Sequence, residues 1–281
     1  VNPFGPGESL ALFVASLVFT AWQARSVREF FEEVGFRLTL MFAVLARLPH
    51  LPRRRRWTVV QTYQAGIGNL HVVLLVGLFI GMIVSLQTGI ELARFGQQDQ
   101  IGFIVAATMA REMGPFITAV ILAATTGSAL AAELGTMKVS DELSALDVMS
   151  IDVTSFLVLP RVVALIVVAP MLAVICDMIG VIGGGLVASA QLDVGWTLYF
   201  DSALEALTSK GELMPLPKDV YCGLFKASVF GLIVATISCA CGLKARGGAL
   251  GVGKATSRAV RDSIIAVIIA NYFLTWMIYQ S

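Results

Sequence analysis

Arg111 and Glu112, followed by Gly114 and Pro115, stand about ten residues inside an apolar stretch running from Ile101 to Leu130. In a helix spanning a bilayer they lie roughly 15 Å deep at ~1.5 Å per residue, near the midplane of a core ~30 Å thick. A charge there costs about 2.5 kcal/mol or more, so it faces a partner or a wet cavity. Adjacent helical residues project about 100° apart, so the two cannot simply pair with each other and each needs its own partner. A proline in a helix removes one backbone donor, so Pro115 predicts a kink or a freed carbonyl beside the pair. Two readings follow: a buried polar clamp between helices, or a contact for a polar head group in a cavity. The other carboxylates and amides inside the spans are Gln87, Asp177 and Asn271, and Lys226 also falls within one.

Three patterns imitate catalytic motifs. Gly248 to Ala255, GALGVGKA, approaches the phosphate loop G-x-x-x-x-G-K-[ST], but Ala255 stands where a hydroxyl should hold magnesium, so its glycines are read as turn formers. Glu32, Glu33 and Arg37 spell E-E-x-x-x-R, as in the first motif of CAAX-type intramembrane proteases, which also require downstream histidines. The chain has two, His50 in a Pro-flanked turn and His71 at the edge of a span, neither in such a setting. Ser128 after Gly127 has no histidine to act as its base. Cys176, Cys222, Cys239 and Cys241 lack metal-ligand spacing and read as packing residues. The expectation is a non-catalytic chain with no catalytic residue, no metal site and no cofactor of its own.

The elements that position these residues follow from composition. With 57% hydrophobic and 14% charged residues and a mean hydropathy of +0.82, against roughly 25% charged residues in soluble domains, this is an integral membrane protein. Apolar windows at Leu70 to Ile90, Ile101 to Leu130, Val162 to Ala188 and Tyr221 to Leu243 give four spans. Ile264 to Tyr279, with Tyr272, Trp276 and Tyr279 as interfacial anchors, gives a short fifth. Basic residues set the orientation. Arg25, Arg28, Arg37, Arg47 and Arg53 to Arg56 precede the first span, Lys138 and Arg161 lie between spans two and three, and Lys244, Arg246, Lys254, Arg258 and Arg261 precede the fifth. The opposite loops hold only Arg94, Lys210 and Lys218, which predicts a cytoplasmic N-terminus and a C-terminus across the membrane.

Residues Glu8 to Leu48 carry an apolar run too short to cross, then Phe30, Phe31, Val34, Leu38 and Met41 at helical spacing among charges. A helix lying in the interface is expected, with no cleaved signal peptide. Between spans two and three, Ser140 is the expected N-cap of a further helix, with Asp141 and Glu142 in its first turn and Leu143, Leu146 and Met149 on one face. That helix either rests on the membrane or docks into a groove on a cytoplasmic partner. Gly180, Gly183, Gly184 and Gly185 predict close helix contact, within the chain or at a dimer face. The fold class is therefore an all-α membrane protein. It has five transmembrane helices preceded by an N-terminal interfacial amphipathic helix, with a cytoplasmic helix between spans two and three. The regions are 1–56 for the N-terminal part and 57–281 for the transmembrane domain.

The segments AREMGP from Ala110, TGSALAAELGTMKVSDELSALDVMSIDV and LPR ending at Arg161, with GVGKATSRAV from Gly251 to Val260, resemble the MlaE family of lipid ABC transporter permeases, over roughly Gln61 to Tyr279. Thr126 stands where that family often has a basic residue before the Gly-Ser-Ala run. The resemblance implies a homodimer in a bacterial inner membrane, with its C-terminus in the periplasm. Each subunit docks a cytoplasmic ABC ATPase that carries the ATP and magnesium. A periplasmic MCE-domain protein and a STAS-domain protein accompany it, and membrane phospholipids move between inner membrane and envelope to maintain outer-membrane lipid asymmetry; no nucleic acid is involved. By position it places Gln87, Leu92, Phe95, Arg111 and Glu112 at a lipid pocket. Glu133, Asp141, Glu142, Leu143, Leu146 and Met149 become the ATPase-coupling element. A channel or secondary transporter, or a scaffold for cytoplasmic proteins, are the alternatives; five spans without a recognisable repeat argue against the first, and a scaffold would not need the deep pair.

Overall fold

The computed structural model describes residues 31–49, 55–208 and 218–280. The apolar run of the first 22 residues, Phe30, His50 and Lys210 therefore lie outside the described residues. The elements are α1 (31–46), α2 (Arg55–Arg94), α3 (Gln98–Val139), α4 (Glu142–Val148), α5 (Thr154–Gln191), α6 (Trp196–Thr208), α7 (Lys218–Leu243) and α8 (Gly248–Gln280). Five of them, α2, α3, α5, α7 and α8, are long and apolar enough to span a bilayer, and no strand occurs among the described residues.

The most apolar window of α7 is 67% buried and that of α8 only 11%, so α7 is the central staff and α8 a peripheral one. α2 packs along α5, α5 against α7, and α7 against α3 and α8, while α6 covers the first part of α3. Glycines set the closest of these approaches. A Cβ on Gly81 would stand 1.9 Å from the Gly180 carbonyl oxygen, and one on Gly183 2.5 Å from that of Leu78. Gly184 and Gly185 abut Tyr199 of α6. The glycine run of α5 thus serves packing within the chain.

The fifth span is longer than hydropathy suggests. α8 starts at Gly248, not near Ile264, and the basic stretch before Ile264 is its first turns. Helical spacing lets Arg258 reach Glu33 at 2.9 Å and Asp262 reach Arg37 of α1, so charges that look like a loop are satisfied by a neighbouring helix. Arg47 of α1's end meets Asp152 at 2.6 Å, and Arg161 meets Glu133 at 3.1 Å. These pairs gather α1, the α3–α5 connection and the start of α8 at one basic end of the bundle. Burial pushes the Asp152 carboxyl up, but the hydrogen bonds from Arg47 and Ser155 and the Arg47 charge outweigh it and hold it below its ordinary value.

α1 carries two apolar stripes. Leu40 and Val44 are buried against the bundle, whereas Phe31, Leu38, Phe42 and Leu45 face outward on the opposite side. The face expected from Phe31, Val34, Leu38 and Met41 is therefore split, with Val34 and Met41 only half buried.

α4 departs from expectation in two ways. Ser140 closes α3, its N–H donating to the Thr136 carbonyl at 2.9 Å, and the N-cap of α4 is Asp141 in the left-handed region at φ 59° without a side-chain cap. The cause is the length of α3, which runs to Val139 and leaves two residues for the reversal. Leu143 is 5% exposed and Leu146 half buried, so they pack onto the chain; the apolar side chains left outward are Val148, 86% exposed, and Met149, 60% exposed.

Candidate functional site

α3 is not a regular helix. Met109–Met113 and Ala123–Gly127 are π turns, and the first encloses Arg111 and Glu112. The Gly114 N–H reaches back five residues to the Met109 carbonyl. Pro115 has no N–H for the carbonyl of Arg111, four residues behind it. Lys226 Nζ takes that role and donates to the Arg111 carbonyl at 3.1 Å. The expected freed carbonyl is thus real, and its donor comes from α7.

Asp219, Gly223 and Lys226 recur on α7 at i, i+4 and i+7, which places all three on the face turned to α3. Arg111 Nη2 donates to Asp219 Oδ2 at 2.7 Å, and Lys226 Nζ donates to Glu112 Oε1 at 2.6 Å. Between them Gly223 lets the backbones touch, since a Cβ there would sit 2.1 Å from the Ala110 carbonyl oxygen. Arg111 and Glu112 have separate partners, as their angular offset demanded, but both partners belong to α7.

α8 completes the layer. Lys226 donates its third bond to Thr275 Oγ1 at 2.7 Å, so all three ammonium donors are used although its side chain is 0% exposed. Asn271 Nδ2 donates to Glu112 Oε2 at 3.0 Å, and the Thr275 hydroxyl lies 2.9 Å from Glu112 Oε1 and 2.8 Å from the Asn271 carbonyl. A buried ammonium with a countercharge and every donor satisfied is the condition under which a deep charge is tolerated. Arg111 remains 41% exposed and Glu112 28%, so the layer is sealed on the Lys226 side and open on the other.

Next to this layer a cavity of about 350 Å³ lies between α3, α5, α6 and α7, lined by apolar side chains such as Ala110, Val181, Phe200 and Leu204. Among the described residues its one ionisable lining residue is Asp177, whose Oδ1 is buried without a hydrogen-bond partner there and packed against Gly114. Tyr199 anchors α6 beside the cavity by donating to the Val181 carbonyl at 3.1 Å, and its burial pushes the phenol above its usual range.

The other expected pocket residues lie elsewhere. Gln87 and Phe95 are exposed and Leu92 is half buried near the end of α2. No hydrogen bond or ion pair joins them to Arg111 or Glu112 among the described residues. α2 packs on α5 while the ion-pair layer faces α7 and α8, so one chain does not bring the two groups together. Glu133 pairs with Arg161, and Glu142 Oε1 accepts from Ser140 Oγ at 2.9 Å. Thr126, in the second π turn, accepts from Asn69 Nδ2 of α2 at 2.8 Å, so a neutral hydrogen bond occupies that position. Gly248 shapes a turn with Gly247, both at positive φ, but Gly251 and Gly253 are helical, so GALGVGKA is the start of α8.

Residues 58–277 match the family described as permease MlaE. The chain belongs to the MlaE permease family. It is 35% identical over 252 residues to a probable ABC transporter permease protein of Rickettsia prowazekii, covering 90% of this chain and 94% of that one. A probable ABC transporter permease protein of Synechocystis is 36% identical over 226 residues, covering 80% and 83%. The chloroplastic protein trigalactosyldiacylglycerol 1 of Arabidopsis thaliana is 36% identical over 225 residues, covering 80% of this chain and 62% of that one. The MlaE-family chain is therefore a multi-pass membrane permease subunit of the ABC transporter class, a role that implies an ATPase partner.

Asp219, Lys226 and Thr275 are the site residues that sequence reasoning did not assign. The signal was present in part. A lysine inside a span demands an anion, and Asp219-x-x-x-Gly223-x-x-Lys226 is a one-face spacing with a glycine between opposite charges.

Proposed function

We propose that this chain is the membrane half of an ATP-driven lipid transporter working as a homodimer in a bacterial inner membrane. The observation that carries this reading is the Arg111–Asp219 and Glu112–Lys226 layer. It joins α3, α7 and α8 at mid-membrane and leaves Arg111 part-exposed beside an apolar cavity. A guanidinium there recognises a lipid head group, while the apolar walls take acyl chains. Gln87, Leu92 and Phe95 complete the pocket when a second copy packs against the outward faces of α2 and α8, which expose Leu75, Phe79, Ile83, Ile268, Phe273 and Trp276. The name of the chloroplast relative, which refers to a galactolipid, supports a lipid cargo.

The basic end faces the cytoplasm and the C-terminus the periplasm. A separate ATPase, holding ATP and magnesium, docks on α4 and the flanking Glu133, Asp141 and Glu142, with Val148 and Met149 as its outward apolar contact. A periplasmic MCE-domain protein and a STAS-domain protein complete the assembly. Its transport of phospholipid between inner membrane and envelope serves outer-membrane lipid asymmetry. ATP-driven closure of the ATPases pushes α4, and α3 carries the movement to the ion-pair layer.

The test is reconstitution of the purified permease and its ATPase in proteoliposomes with a fluorescent phospholipid. Lipid movement should require ATP hydrolysis and fall at least tenfold with Arg111→Ala. Movement that is equal without hydrolysis would point to a channel or passive scramblase, and full activity of Arg111→Ala would leave the layer as a clamp only.

A further inference from the structure

At the basic end, remote from the ion-pair layer, a second cavity of about 210 Å³ opens between α1, the end of α7 and the start of α8. Arg37, Lys244, Arg246, Lys254 and Arg258 line it, with Glu33 as the lining carboxylate. Glu33 and Asp262 account for two of these cations, since Arg258 meets Glu33 at 2.9 Å and Arg37 meets Asp262. Lys244 lies 4.3 Å from the Phe36 ring centroid, and no carboxylate lies within ion-pair distance of Lys244, Arg246 or Lys254 among the described residues. Three cations without a carboxylate therefore converge on one concavity.

The backbone adds to the field. Gly247 and Gly248, at φ 90° and 67°, turn the chain so that the 33-residue α8 begins at the cavity. Gly251 in its first turn could not carry a Cβ, which would lie 1.8 Å from the Arg246 carbonyl oxygen. The free N–H groups and dipole of a helix start favour an anion. The floor is apolar, formed by Phe36, Ala240 and Cys241, and beside it Leu250 is 82% exposed. Outward Leu38 and Phe42 of α1 lie on the same end of the bundle. Cations above an apolar floor at the level of a leaflet surface match a phosphate with hydrocarbon attached better than a free anion, and basic pockets between spans on that side hold anionic head groups.

We propose that this cavity holds the phosphate of an anionic phospholipid of the cytoplasmic leaflet, a resident lipid that fastens α1 to α7 and α8 and is distinct from any transported molecule. The inference rests on the membrane placement and orientation of the chain and not on its cargo.

The experiment uses the full chain purified in mild detergent, with bound lipid counted by native mass spectrometry and the thermal midpoint followed during titration. The probes are phosphatidylglycerol, phosphatidylcholine, inorganic phosphate and ATP. Wild type should retain phosphatidylglycerol and gain stability from it but not from phosphatidylcholine. Lys244→Gln, Arg246→Gln and Lys254→Gln together should weaken that response about 100-fold, at about 1 kcal/mol per basic residue near a leaflet surface. An equal phosphatidylglycerol response in the triple variant would overturn the site. A response to inorganic phosphate or ATP as large as to the lipid would make it a free-anion site and overturn the lipid reading. Unchanged lipid binding with lost capture of the ATPase would reassign the patch to protein docking. Should the triple variant fail to fold, Lys254→Gln, at an exposed position, is read alone alongside a salt series on wild type. A response that survives both without loss also overturns the proposal.

Discussion

Replacing Lys226 by Met removes a charge whose three hydrogen bonds go to Glu112 at 2.6 Å, Thr275 at 2.7 Å and the Arg111 carbonyl at 3.1 Å. The methionine fills the space, so the cost is electrostatic: Glu112 loses its cation and the Arg111 carbonyl its donor. Breaking a buried pair by deleting one partner costs about 3–5 kcal/mol in soluble proteins. Polar contacts between membrane helices average only about 0.6 kcal/mol, because the unfolded chain in the membrane finds partners too. Glu112 is 28% exposed and keeps its bonds from Asn271 and Thr275, which pulls the expectation to about 3 kcal/mol, the low end of the first range. At about 2–4 °C per kcal/mol for a chain of this size, the thermal midpoint falls by about 6–12 °C. Adding Glu112→Gln removes the stranded carboxylate and should restore about half of that loss. The assay is a thiol-reactive dye at fixed scan rate, since Cys176 and Cys239 are 0% exposed and become reactive only on unfolding. A single variant within 2 °C of wild type at a precision of about 1 °C, or a double variant whose loss is the plain sum of the singles, would refute the reasoning.

Gly223→Leu forces α7 away from the Ala110 carbonyl; a loss of at least about 2 kcal/mol is expected in the same dye assay, with weaker lipid retention by native mass spectrometry. Val148→Asp with Met149→Asp should abolish co-purification of the ATPase while leaving the midpoint unchanged, because both side chains are exposed; Leu143→Asp, at a buried position, should lower the midpoint instead. Asp262→Asn weakens the hold on Arg37, a charge-assisted contact of about 1.5–3 kcal/mol, so hydrogen exchange across α1 should quicken at least about tenfold while α5 is unaffected.

Five spans were legible because twenty-odd apolar residues have few other uses, and the deep Arg111–Glu112 pair was legible because its cost is large. The partners were not, since Asp219 looked like a loop residue just before a span and only the packing of α7 on α3 brings it to Arg111. α6 escaped the span windows because it has only 13 residues, although Trp196, Tyr199, Phe200, Ala203 and Leu207 fall on one face at helical spacing. Start and stop signals misled at Ser140, where a good capping residue ends one helix and does not cap the next. The length of α8 escaped hydropathy because Arg258 and Asp262 are paid for by α1, a tertiary contact that no local window contains.

α3 has 42 residues and so measures about 63 Å, roughly twice the ~30 Å of a hydrocarbon core. Its apolar stretch ends at Leu130, so the last nine residues, about 14 Å of helix, stand beyond that stretch at the basic end, and α4 is joined to their tip by two residues. Such a rod is a lever with its fulcrum at the membrane. A tilt of about 10° moves the tip by about 2 Å while the residues at the fulcrum hardly shift. The two π turns are then the points at which that lever can give, one beside the ion pairs and one beside Asn69, and between them they decide whether a push at the tip becomes rotation or bending.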